Sequence, residues 1–309
     1  NTIKTVEFIY IPPMEHRVYK FLLSSILGKR IMCDIYAPLY DTTVNDYKIY
    51  KHFHPIAILH YLRDYVAMRY SKPVIFLNEA EAEHFIKSVR VKKEKVMYKV
   101  LPLYRKEKKK AQLPYYNKEN GKLTLCWTGT YIPLQGVEKI IDAVKILKKQ
   151  DFNFRLLIFG PDNERASLYK KLVKESSVDD RVQFINVWGN INEWEKYICK
   201  ECDIALGIFG DSDKAKTVIA NKVIDATAFM IPIITGISKG LKNYFDCTDD
   251  IVCIQNTPQS IAESIIAMSK KTNVEIQCLI TKAYHVYQTT FNEKAFVTRF
   301  EGIIDEFYK

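Results

Sequence analysis

Residues 203–235, DIALGIFGDSDKAKTVIANKVIDATAFMIPIIT, decide the fold. An apolar run ends at Gly210, a polar loop holding Lys214 and Lys216 follows, and a helical pattern over 216–229 leads into a second apolar run, IPIIT. Strand, loop, helix and strand in that order make a βαβ unit with parallel strands. Runs that are apolar without alternation belong to strands covered on both faces. The loop is the chemically suggestive part. Backbone amides and a helix N-terminus at the mouth of a parallel sheet suit an anion, and Lys214, Lys216 and Lys222 add positive charge. Asp225 is the helix's one carboxylate, and its apolar surroundings, DATAFMIPII, demand polar partners for it. An anionic ligand that also carries hydroxyl groups would answer to both features.

The same alternation runs through the rest of the chain from residue 122. Strands are expected at 123–128, 154–160, 182–186, 203–209, 231–235 and 250–254. Helices are expected near 135–149, 163–175, 191–200, 216–229 and 258–270. This is a doubly wound α/β pattern. The first third repeats it more thinly, with strands at 6–11, 30–36, 73–77 and 99–103 and helices near 14–27, 55–70 and 79–90. A charged amphipathic helix over 292–309 closes the chain. Three or four strands leave an open sheet edge, so the first lobe is expected to be completed by upstream sequence or by a partner chain.

Charge and glycine are both unevenly placed. Residues 1–118 hold 22 Lys and Arg against 11 Asp and Glu, and the remainder 24 against 25, so the whole net charge of +10 belongs to the first third. Ten of the eleven glycines lie at 121 or later. The basic stretch RKEKKKAQLPYYNKENGK (105–122) reads as a linker, with the boundary near 118. Its cations, with KSVRVKKEK (87–95), suit an anionic membrane surface or a phosphorylated acceptor. Aromatics at stacking spacing are missing from these runs, which reads against nucleic acid. Seven scattered cysteines fit a reducing, cytoplasmic setting, and Cys199–Cys202 has no second pair to complete a zinc site. No apolar run reaches membrane-spanning length, and NTIKTVEFIYIPP lacks the pattern of a signal peptide.

Two further strand ends carry glycine-bearing loops, WTGTYIPLQGVEKI (127–140) and FGPDNER (159–165), the latter with Asp162 or Asn163 as helix cap. Ligands of open α/β sheets sit beyond such carboxyl ends. With these motifs, 119–285 resembles the nucleotide-sugar lobe of the GT-B glycosyltransferases, in particular the retaining family 4. WTGTYIPLQGVEKIIDA has the form of its Gly loop and helix, and IFGDSDKAKTVIANKVIDATAFMIPIIT that of its acidic-pair signature. Thr130 and Gln135 stand where the family often has Arg and Lys, Thr217 and Asp225 where it has two acids, and Met230 where it has Gly. Residues 1–118 resemble part of the acceptor lobe, its Gly-rich first loop missing, and 286–309 the helix that crosses back to it.

The resemblance implies two Rossmann-like lobes, the N-terminal one incomplete, and transfer of a sugar with retention. The donor is a nucleotide-diphosphate sugar and the acceptor a polysaccharide or a lipid-diphosphate-linked glycan, without cofactor or metal, at the inner face of a membrane. Donor-site residues are then Gly129, Thr130, Gln135, Gly136, Gly160, Gly210, Lys214, Lys216, Thr217, Val218, Ile219, Asn221, Lys222 and Asp225, with Lys214 and Lys216 the candidates for catalytic charge and Asp225 on the ribose. Acceptor-side candidates are His16, Asp34 and Tyr36. Two other readings stay open: a degenerate GT-B subunit that supports an active partner, and a sugar-nucleotide epimerase of the same fold.

Overall fold

Short apolar runs become parallel strands, as the sequence demands. The computed structural model describes residues 8–13, 15, 30–106, 122–187 and 189–308. His16 and, apart from residue 15, the expected helix over 14–27 lie outside these residues, as do the lysines at 108–110 and the expected boundary at 118. The chain divides into two units. One holds 1–103, 212–218 and 294–309, the other 104–211 and 219–293.

The first unit has four parallel strands in the order β1 (Phe8–Ile11), β2 (Arg30–Asp34), β3 (Val74–Phe76) and β4 (Tyr98–Val100). Helices α1 (Pro55–Tyr70) and α2 (Glu79–Ser88) connect them, and a wide helical turn, Asp41–Asp46, follows β2. Asn78 caps α2 by accepting the Glu81 amide at 2.9 Å. The core of this unit gathers Cys33, Val74, Phe76, Ala67, Met68 and Phe85.

The second unit is a six-stranded parallel sheet. Its strands are β5 (Leu123–Thr128), β6 (Phe154–Phe159), β7 (Val182–Ile185), β8 (Ile204–Leu206), β9 (Ile233–Gly236) and β10 (Val252–Ile254), ordered β10-β9-β8-β5-β6-β7. The winding goes outward from β5 to β7, then restarts on the other side at β8, which pairs with β5 through Leu125–Ile204. In open α/β sheets such a reversal, beyond the carboxyl ends of the strands, is where ligands bind. The helices are α3 (Val137–Lys149), α4 (Glu164–Glu175), α5 (Ile191–Glu201), α6 (Asn221–Ala228), α7 (Lys239–Lys242), α8 (Pro258–Ser269) and α9 (Asn273–Val286). α3 buries Val137, Ile140, Ile141, Val144 and Leu147, one stripe at helical spacing. Trp127, Phe154 and Phe209 are fully buried around it. Helix α10 (Glu293–Tyr308) belongs to the first unit, where Ile303 and Phe307 cover Met32, Ile75 and Leu101.

The short helix α7 was not expected, several strands are a few residues shorter than expected, and three larger differences concern β8, α6 and α9. β8 stops at Leu206, because the amides of Phe209 and Gly210 turn to the carbonyls of Gln135 and Leu134 at 3.1 Å each. α6 begins at Asn221, not 216, because the amides of Thr217 and Val218 close a turn on the Lys214 carbonyl. α9 was not expected at all. Its signal is the capping box of Thr272 and Glu275, whose side chains exchange hydrogen bonds with each other's backbone amides.

Candidate functional site

Glycines let the loops after β5 and β8 pack closely. Gly136 joins a short turn, Pro133–Gln135, to α3 with φ +62°, a left-handed conformation that favours glycine. A Cβ there would lie 2.5 Å from the Phe209 carbonyl carbon and 2.7 Å from the Gly210 nitrogen. At Gly210 a Cβ would meet the Leu134 carbonyl oxygen at 2.4 Å. The loops after β5 and β8 are therefore in backbone contact. Gly129 and Gly160 are equally confined, by Trp127 and Gln135 and by Tyr131 respectively.

Several polar groups expected to face a ligand are already engaged. The Gly210 amide donates to Leu134, and its carbonyl accepts from Asn256 Nδ2 at 2.6 Å. Gln135 is buried, and its Oε1 accepts the Ile132 amide at 3.2 Å. Thr130 is half-buried and Ile219 buried.

α6 carries the charged centre of the second unit. No side chain caps its N-terminus at Ala220, and Asn221 is exposed in its first turn. Lys222 lays its ammonium 4.1 Å from the centre of the Trp127 ring. The Lys222 stem is part exposed, but its Nζ is buried with no hydrogen-bond partner. Burial holds this ammonium well below the usual lysine range, against the pull of the Asp225 carboxylate. One turn on, Asp225 is 8% exposed. Both its oxygens face Arg105: Nη2 donates to Oδ2 at 3.0 Å, and Nε pairs with Oδ1. Burial raises the Asp225 pKa, and Arg105 works in the opposite direction. Arg105 is itself held by its backbone. Its amide donates to Phe291 at 2.9 Å, and its carbonyl accepts the Tyr287 hydroxyl at 3.0 Å.

Sequence reasoning missed Arg105. It opens the basic run that reads as linker, and nothing in that run separates a pairing arginine from a solvated one. Trp127 was visible only as a strand residue; its role as the platform for Lys222 needs the fold.

Lys214, Lys216, Thr217 and Val218 fall in the first unit. Lys214 is buried, donates from Nζ to Thr42 Oγ1 at 2.8 Å, and lies 5.9 Å from the centre of the Phe85 ring. Lys216 is exposed and pairs with Asp213 at 3.4 Å. Around Lys214 lie two buried acids. Burial works to raise the Asp41 carboxyl, but His84 Nε2 at 3.0 Å, Asn45 and Lys214 together hold it below the usual range. Glu81 is 3% exposed, and burial pushes it up to about 8, with Lys214 opposing and Asp41 adding. At the end of β2, Asp34 accepts the Tyr10 hydroxyl at 3.3 Å, and burial raises it to about 6. Tyr36 is half-buried in the bend that follows.

Among the described residues, no helix is long and apolar enough to cross a membrane. No three His, Cys, Asp or Glu side chains among them are grouped to hold a metal.

The profile of the glycosyl transferases group 1 family matches residues 107–279. No curated protein sequence matches the chain significantly. Among solved structures, HepE of Anabaena in complex with UDP and glucose aligns with a TM-score of 0.75 at 13% identity, over 99% of this chain and 79% of that one. Sucrose-phosphate synthase of Thermosynechococcus elongatus gives 0.75 at 13%, over 98% and 74%. A glycosyltransferase of Rickettsia africae gives 0.63 at 11%, over 97% and 98%. At such identities the likeness is one of fold: two units with parallel sheets, in the GT-B class.

Proposed function

We propose, for a chain that belongs to the glycosyl transferases of group 1, transfer of a sugar from a nucleotide-diphosphate donor to a glycan or lipid-diphosphate-linked acceptor. The observation that carries the reading is the buried Asp225 on α6, the helix that follows β8 where the sheet's winding reverses. Its carboxylate would accept the ribose hydroxyls of the nucleotide. The amides opening α6 and the Lys222 ammonium would meet the diphosphate, where charge develops as the donor departs. Lys222 takes this role rather than Lys214, whose Nζ is bound to Thr42. The bond from the anomeric carbon to the diphosphate breaks as the bond to the acceptor oxygen forms. The acceptor's proton passes to the departing diphosphate on the same face, which keeps the anomeric configuration. This charge arrangement asks for no metal. The first unit, with its excess of cations, would meet the acceptor at the anionic inner face of a membrane.

Binding of UDP by HepE makes UDP the first nucleotide to test. Thermal shift with UDP, UDP-glucose, GDP, ADP and CMP should show selective stabilisation by one of them, and Asp225→Ala should abolish it. Anomeric NMR of the product reads retention directly.

A second reading is favoured by the engaged groups. The amides of Gly210, Thr217 and Val218 already donate to backbone carbonyls, and Arg105 faces both oxygens of Asp225. Such a chain would serve as a non-catalytic subunit. Absence of any nucleotide shift in the wild-type protein would select that reading.

A further inference from the structure

Helix α1 turns the wrong face outward. A helix that covers a core puts its large apolar residues inward. Here the buried positions are Ala57, Asp64, Ala67 and Met68. Asp64 is committed to the backbone, accepting the amides of Leu39 and Tyr40 at 3.1 and 2.7 Å. The outward positions hold the aliphatics: Ile58, Leu59 and Leu62 are 47, 44 and 48% exposed. Their spacing sets them on one face over successive turns. Phe53, in the loop leading into α1, is 92% exposed. Single exposed apolar residues need no explanation, whereas a contiguous patch of them marks a binding surface.

The charge of this region has one sign. Between residues 47 and 72 the cations are Lys48, Lys51, Arg63, Arg69 and Lys72, and the only acid is the buried Asp64. Next to α1, the Tyr61 hydroxyl donates to the Val89 carbonyl at 2.9 Å, which fixes the basic stretch 87–93 alongside the helix. An open groove of about 410 Å³ there is lined by Lys87, Arg90, Lys92 and Lys93, with Glu83 as its one acid.

We infer that this face of the first unit docks on an anionic lipid bilayer. Phe53, Leu59 and Leu62 enter the acyl boundary, and the flanking lysines and arginines reach the headgroups. A second copy of the chain fits less well, since α1 packed on its own copy would oppose Arg63 and Arg69 with like charges and offer no exposed acid. The inference names the surface for the membrane contact proposed above and rests on that contact, not on the donor site.

The test is flotation of the whole chain with vesicles of phosphatidylcholine alone, or with about one-third phosphatidylglycerol. Binding should require phosphatidylglycerol and weaken with salt. Leu59→Ser with Leu62→Ser should lower it about tenfold or more. Arg63→Gln with Lys92→Gln should lower it and flatten the salt dependence. Equal melting temperatures would show that each variant is folded. Thermal shift with UDP on the same samples reads the donor site separately. Three outcomes overturn the inference: no flotation with phosphatidylglycerol, a leucine variant that floats like wild type, or a wild-type dimer that the leucine variant dissociates. If vesicles fail while UDP still stabilises, the membrane surface falls alone; if UDP fails while vesicles bind, the transferase reading falls alone.

Discussion

Asp225 and Arg105 form a two-point pair in which each charge accounts for the other. Arg105→Met leaves a carboxylate 8% exposed without its cation. Because Arg105 is part exposed, the loss of stability should be about 1–2 kcal/mol, below that for a fully buried pair. The sharper readout is pH. Arg105 holds the Asp225 carboxyl down, so its removal should move the pH midpoint of nucleotide stabilisation upward. An unchanged midpoint would mean that Asp225 does not contact the nucleotide in ionised form. Glu81 offers a second titration. Its pKa is raised to about 8 from an unfolded value of about 4.5, so the stability it contributes is complete below pH 4.5 and is lost as pH rises towards 8. Glu81→Gln should therefore match wild type near pH 5 and exceed it by about 4 kcal/mol above pH 8.5, measured by urea unfolding at both values. Of these residues, sequence singled out only Asp225, through the apolar segment around it. Glu81 sits in EAEAEH, where every acid looks solvated until α2 turns one of them inward.

Strands and long helices were legible where the pattern was strong. The apolar stripe of α3 and the continuous runs of β5 and β6 lie within two residues of expectation. The errors gather where backbone hydrogen bonds leave the regular ladder. Such turns leave no periodic trace, so β8 was read three residues too long and α6 five residues too early. Met230 is instructive: it takes φ +54° after α6, the left-handed cap for which glycine is the usual residue. Gly136 shows the opposite case. Gly136→Ala should cost about 2–4 kcal/mol, since its Cβ meets backbone that cannot step aside and its φ is positive. Urea denaturation would read this; a loss below about 1 kcal/mol would mean that the two loops can separate.

The chain visits its two units in alternation, changing membership at 104, 212, 219 and 294. Sequence placed a boundary near 118 from composition and, through the family resemblance, a second at 286, because a linker shows itself in residue usage while a seven-residue visit such as 212–218 does not. Residues 1–118 alone would lack α10, whose Ile303 and Phe307 pack on Met32, Ile75 and Leu101. That fragment should bind a hydrophobic dye and melt without a cooperative transition, and adding residues 292–309 as a separate peptide should reduce the dye signal. The alternation reaches beyond the folded protein to its gene. No single crossover in the coding sequence can exchange one unit for a homologous one: whatever replaces the first must also bring its own 212–218 and its own last helix. Across any single crossover the two units are thus inherited as a pair.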